Sequence, residues 1–98
     1  MDRNSMFMQL RQLWPGLEAR GATALFVFGS RVTDTHRDDS DLDVFVDHDS
    51  SRAFTLLDLA SIKDQLEDTL DLTVDVTTRD GLHPMLRAKI ENEAVRVV

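Results

Sequence analysis

Ninety-eight residues carrying 18 acidic and 11 basic side chains give a formal net charge of −7, which argues against a surface that wraps nucleic acid, since that needs positive charge to neutralise phosphates. There is no cysteine, so disulfides and thiolate metal sites are excluded, and no apolar stretch is long enough for a signal peptide or a membrane span. The expectation is one cytoplasmic domain over residues 1–98, near the lower size at which a single core suffices, without room for a separate acceptor-binding domain.

Met6, Leu10, Leu13 and Leu17 recur at helical spacing, interrupted by Trp14-Pro15-Gly16, which predicts two short helices or one kinked helix. Arg20-Gly21 marks its end. Trp14 and Met6-Phe7-Met8 either join the core or form an exposed docking surface. Ala22 to Phe28 is a continuous apolar run with β-branched and aromatic members, the pattern of a strand buried on both faces. Gly29 ends it, allowing a sharp turn and a close approach of a phosphate to the backbone. Ser30 adds a hydroxyl and an N–H, and a helical turn starting there would present unpaired N–H groups to an anion. Gly29-Ser30 is therefore a candidate phosphate cradle.

An irregular polar loop, Val32 to Ser40, leads to a second strand beginning Asp41-Leu42-Asp43-Val44-Phe45-Val46. Side chains alternate along it, so Asp41 and Asp43 share one face while Leu42, Val44 and Val46 enter the core. Two carboxylates on one face repel each other. A hard cation between them relieves that, and Mg²⁺ favours one or two carboxylates with waters and substrate phosphate oxygens. Seven aspartates, Asp34, Asp38, Asp39, Asp41, Asp43, Asp47 and Asp49, crowd positions 34 to 49. Of these, Asp38, Asp39, Asp47 and Asp49 read as solvated surface.

From about Ser51 to Leu70, Leu56, Leu59, Ile62, Leu66 and Leu70 keep one face of an amphipathic helix, long enough to cross between parallel strands. A third strand, Leu72 to Thr77, points its valines inward and Asp75 to the opposite face. There Asp75 would complete a metal site or accept a proton from an attacking hydroxyl. Gly81 and His83-Pro84 open a final helix with proline in its first turn, and Ala94 to Val98 is an edge strand or an apolar tail. Ser30 also fits a plain helix N-cap, and Arg31 either reaches a triphosphate or lies over the sheet edge. His36 and His48 lack a second ligand at metal spacing, and His83 before Pro84 reads as a cap residue. The fold class is α/β, a small mixed sheet with flanking helices.

Gly29-Ser30-Arg31, Asp39-Ser40-Asp41-Leu42-Asp43 and Val74-Asp75 together resemble the signature of the minimal nucleotidyltransferase domains of the DNA polymerase β-like superfamily. The similarity continues through Asp80-Gly81-Leu82-His83-Pro84 and Glu93-Ala94-Val95-Arg96-Val97. Asp34 stands where many relatives carry a glycine. The resemblance implies a polymerase β palm-like fold and transfer of AMP from ATP to a hydroxyl with two Mg²⁺ ions. It makes Asp41, Asp43 and Asp75 the catalytic and metal-binding triad and Gly29, Ser30 and Arg31 the nucleotide-binding residues. Stand-alone domains of this kind resemble the antitoxin of toxin–antitoxin pairs whose partner is a HEPN-domain ribonuclease, which implies adenylylation of a partner hydroxyl, typically tyrosine. The chain has no tyrosine of its own to modify. Two alternatives stand beside this reading: a binding module that neutralises its partner by occlusion, and nucleotidyl transfer to a small molecule.

Overall fold

In a computed structural model, residues 2–33 and 41–98 are described. The polar loop with Asp34, His36, Asp38 and Asp39 lies outside the described residues. Helix α1 (Arg3–Glu18) starts where the Asp2 carboxylate accepts the Ser5 N–H at 2.8 Å, satisfying one of the free donors of the first turn. It runs unbroken through Pro15, so the expected division does not occur. Pro15 is exposed and close to the helix end, so the one carbonyl it deprives of a partner can be met by solvent. Met6, Phe7, Leu10 and Leu17 are buried, which places Met6 and Phe7 in the core rather than on a docking surface, while Met8 stays exposed.

Strand β1 (Ala22–Phe28) has the predicted bounds, then one turn of helix, α2 (Ser30–Thr33), follows Gly29. Strand β2 (Leu42–His48) pairs antiparallel with β1. Helix α3 (Leu56–Leu70) begins five residues later than the hydrophobic pattern implied. Its start is set by a capping box: Thr55 Oγ1 accepts the Asp58 N–H at 3.4 Å, and Asp58 Oδ2 accepts the Thr55 N–H at 2.9 Å. Leu56, expected on the apolar face, is 82% exposed. At 3.6 residues per turn it sits about 80° around the helix from Leu66, beyond the buried stripe of Ile62, Leu66 and Leu70. We expect Thr55→Ala to lower stability by about 1 kcal/mol, measured as a lower urea midpoint at unchanged slope.

The crossover delivers β3 (Val74–Thr78) parallel to β2, as its length implied. A 3-10 turn (Arg79–Gly81) follows, and α4 (Arg87–Glu93) begins only at Arg87. Pro84 therefore does not occupy the first turn of the last helix as expected. It lies in a preceding turn, where the His83 Nδ1 accepts the Met85 N–H at 3.2 Å. The tail forms β4 (Val95–Arg96), an edge strand on β1. The sheet order is β3-β2-β1-β4. α1 and α3 cover one face, and Leu25, Val27, Leu42, Val44, Val46 and Val74 meet Leu10, Leu17, Ile62 and Leu66 in one core. No helix among the described residues is long and apolar enough to cross a membrane.

Candidate active site

The opposite face of the sheet carries the polar chemistry. Alternation sends Phe26 and Phe28 of β1, Asp43, Phe45 and Asp47 of β2, and Asp75 and Thr77 of β3 away from the helices. The register then aligns them: Phe28 opposite Asp43 and Asp43 opposite Asp75 form one row, and Phe26, Phe45 and Thr77 form the next. β1 was expected to be buried on both faces, yet Phe26 and Phe28 are only half-buried; Phe26 meets the Arg79 guanidinium on this side instead of α1 and α3.

Gly29 and Asp43 touch. Gly29 has φ of +78°, the left-handed region that favours glycine, and a Cβ built there would lie 2.6 Å from Asp43 Oδ2. The missing side chain is thus what gives the carboxylate its place at the end of β1. Ser30 follows at the start of α2, partly exposed, and the Val32 N–H donates to the Gly29 carbonyl at 3.1 Å. Arg31 is 3% exposed, a buried cation.

Asp43 is half-buried, while Asp41, just ahead of the strand, and Asp75 are exposed. Burial pushes the Asp43 carboxyl above the usual aspartate range, and the charges of Asp75 and then Asp41, with a carboxyl–carboxyl contact to Asp75, push it the same way. Ionised Asp43 therefore opposes folding, because the folded form holds its proton more tightly than the unfolded chain does. Asp43→Asn should raise stability at neutral pH. The gain should vanish as pH falls through the raised Asp43 value, where wild type becomes neutral too. Urea melts of both forms across pH 3 to 8, a range taken on either side of the usual aspartate value, would show the two curves converging at the acid end. A gap that is constant with pH would contradict this.

Among the described residues, no three His, Asp or Glu side chains form a ready-made metal cage. Mg²⁺ does not need one. It binds through one or two carboxylates and takes its remaining oxygens from water and phosphate, so adjacent carboxylates that repel each other and an open approach suit it.

Arg79 and Asp47 went unrecognised in the sequence, where Asp47 reads as solvated surface. The Arg79 guanidinium lies over the rings of Phe26 and Phe45, 4.9 and 5.0 Å from their centroids. Its Nε and one terminal nitrogen donate to both oxygens of Asp47 at 2.8 and 3.0 Å, and the other nitrogen donates to Glu91 at 3.0 Å. This clamp closes the hydrophobic floor directly beside the carboxylate row and ties α4 to it. The missing signal was the inter-strand offset: the β2–β3 register pairs residues 32 apart, which brings Arg79 to Asp47 just as it brings Asp75 to Asp43. A cavity of about 110 Å³ lined by Val46, Asp47, His48, Ser50, Arg79 and Asp80 lies at the far end of β2, away from Asp43. His48 stacks on Phe54 with ring centroids 4.8 Å apart.

A model of the nucleotidyltransferase domain family matches residues 9–97. The chain is 36% identical over 88 residues to a candidate protein adenylyltransferase of Methanocaldococcus jannaschii, covering 90% of this chain and 92% of that protein. It is similar to the solved structure of a candidate minimal nucleotidyltransferase, with TM-score 0.81, 36% identity, and 97% and 95% of the two chains covered. The fold also matches a chain in the complex of a tri-AMPylated Shewanella oneidensis HEPN toxin with an MNT antitoxin. That match has TM-score 0.69 at 14% identity and covers 97% of this chain and 71% of that one.

Proposed function

The chain belongs to the nucleotidyltransferase domain family, and from that we propose that it is a Mg²⁺-dependent protein adenylyltransferase acting as the antitoxin of a HEPN-type partner. The observation that carries this reading is the close approach of Gly29 to Asp43, which is in the same row as Asp75: a backbone turn and two carboxylates on the sheet face opposite α1 and α3. Asp41 and Asp43 are the residues that would hold Mg²⁺, which supplies positive charge for the triphosphate and the phosphoryl group in flight.

The chain's own groups do the rest. The Ser30 hydroxyl and the N–H groups of the Gly29–Ser30 turn hold the terminal phosphates, with Arg31 beneath them. Asp75, exposed at the strand that borders solvent, takes the proton of the incoming hydroxyl as its oxygen bonds to the α-phosphorus. The bond to the bridging oxygen breaks, and pyrophosphate leaves with that electron pair. The cavity among the described residues lies at the far end of β2, away from Asp43, and the reading therefore takes the hydroxyl from another chain, a tyrosine of the partner. The net charge of −7 favours a partner surface of opposite potential, which speeds encounter and fixes orientation.

Co-expression with the neighbouring gene's product, followed by mass spectrometry, tests this. AMP should appear on a partner tyrosine when Asp41 and Asp43 are intact and not when both are asparagine. A partner inhibited equally by both forms and never modified would point to occlusion instead. Asp75→Asn should leave MgATP binding near the wild-type level and suppress transfer, as followed with α-labelled ATP.

A further inference from the structure

The register places one more cation on the carboxylate face. Arg96 of β4 pairs with Phe26 of β1, and its guanidinium lies over the Phe26 ring, 5.8 Å from the centroid. That contact directs the side chain onto the open face instead of out over the sheet edge. Arg79 shares the same ring, but all three of its nitrogens are taken by Asp47 and Glu91. Arg87 is engaged with Glu91 at 2.7 Å. Arg96 is exposed and has no carboxylate partner among the described residues.

The Arg96 guanidinium, stacked on Phe26 and without a carboxylate partner among the described residues, keeps its N–H donors open to an anion on the sheet face that also carries Asp43 and Asp75. β4 lies two strands from β2 and Arg96 one row below Asp43, a backbone separation of about 12 Å at ordinary sheet spacings. A bound triphosphate and an extended arginine side chain close that span between them. The planar fork of a guanidinium matches two phosphate oxygens, and its other surface remains stacked on Phe26.

We propose that Arg96 is a nucleotide-binding residue that holds a phosphate of the triphosphate from the β4 side, opposite the Gly29–Ser30 turn. The inference rests on the nucleotide site proposed above. With phosphates gripped from two sides, the substrate is fixed across β1 with its α-phosphorus over the carboxylate row, and Arg96 acts on binding, with no part in the proton transfer.

Calorimetric titration of the full chain with MgATP and with MgAMP would test it, in wild type, R96Q, R96A, R96K and the Asp41→Asn, Asp43→Asn pair. R96Q and R96A should weaken MgATP binding by about 10- to 100-fold, the range for hydrogen bonds to a charged group. R96K should lose less, and AMP affinity should change less than ATP affinity. In transfer assays R96Q should raise KM with kcat nearly unchanged, the mark of lost ground-state binding. Thermal melts without ligand should match wild type for at least one neutral variant, because the side chain is exposed.

Wild-type MgATP affinity in R96Q and R96A, with binding lost in the aspartate pair, would overturn the role of Arg96 and leave the nucleotide site standing. No MgATP binding by wild type would overturn both. Equal losses for ATP and AMP would also overturn it, since the contact would then be to the nucleoside or α-phosphate that both share and not to the β- or γ-phosphate that Arg96 is assigned.

Discussion

Replacing Asp41 and Asp43 together by asparagine is expected to abolish Mg²⁺-dependent nucleotide binding and to reduce transfer by about 10³-fold or more, the several kcal/mol a bound metal contributes to a phosphoryl transition state. The same pair should be at least as stable as wild type. Burial and the charges of Asp75 and then Asp41 all oppose ionisation of Asp43, so removing two of the three acidic groups relieves that repulsion. Loss of function with gain of stability is the usual sign of a site kept for chemistry and not for packing. Thermal melts with and without MgATP separate the terms. At about 100 times its dissociation constant, a ligand stabilises the folded form by about 2.7 kcal/mol. That increment should appear in wild type and be absent from the double variant. If MgATP stabilised both forms equally, Asp41 and Asp43 would not be where the metal binds.

Much of the site was legible because it depends on local pattern. The run Ala22 to Phe28 has both hydrophobic continuity and a glycine stop, and its strand bounds agree residue for residue with the structure. Period-two alternation is enough to put Asp43 and Asp75 on the face away from the valines, and the length of the α3 crossover is enough to make their strands parallel. The family resemblance rests on the same short motifs.

What was not legible depends on relations between distant segments. No local feature gives the 32-residue offset that sets Arg79 on Asp47, so a charged pair that closes the floor of the site looks like two surface residues. The burial of Arg31 is likewise invisible locally, because sequence alone gives an arginine beside a turn. Hydrophobic periodicity also set the start of α3 too early. The chain from Ser51 to Phe54 precedes Thr55 and Asp58, which begin the helix by hydrogen bonding, and that signal outranks periodicity at a boundary. Pro15 shows the converse: a strong local breaker tolerated because it comes near the end of α1 on an exposed side.

Gly29→Ala should have a large effect for a single added methyl group, because it meets two penalties at once. Backbone at φ of +78° costs an alanine roughly 1–2 kcal/mol that glycine avoids. The new Cβ would also lie 2.6 Å from Asp43 Oδ2, closer than side-chain atoms pack, and the carboxylate is half-buried between Phe28 and Asp75 in its row. Displacing it off its preferred rotamer adds about 0.5–1.5 kcal/mol. A destabilisation of about 1.5–3.5 kcal/mol is therefore expected from the sum, together with loss of MgATP binding, since Asp43 cannot keep its place. A double-mutant cycle divides the two penalties. In an Asp43→Ala background the carboxylate is gone, so Gly29→Ala should cost only the backbone part, measured by urea unfolding. If Gly29→Ala cost the same in both backgrounds, the close approach of Asp43 to Gly29 would contribute nothing. Gly29 would then serve the turn alone, and the reading of this contact as the device that seats the carboxylate would have to be given up.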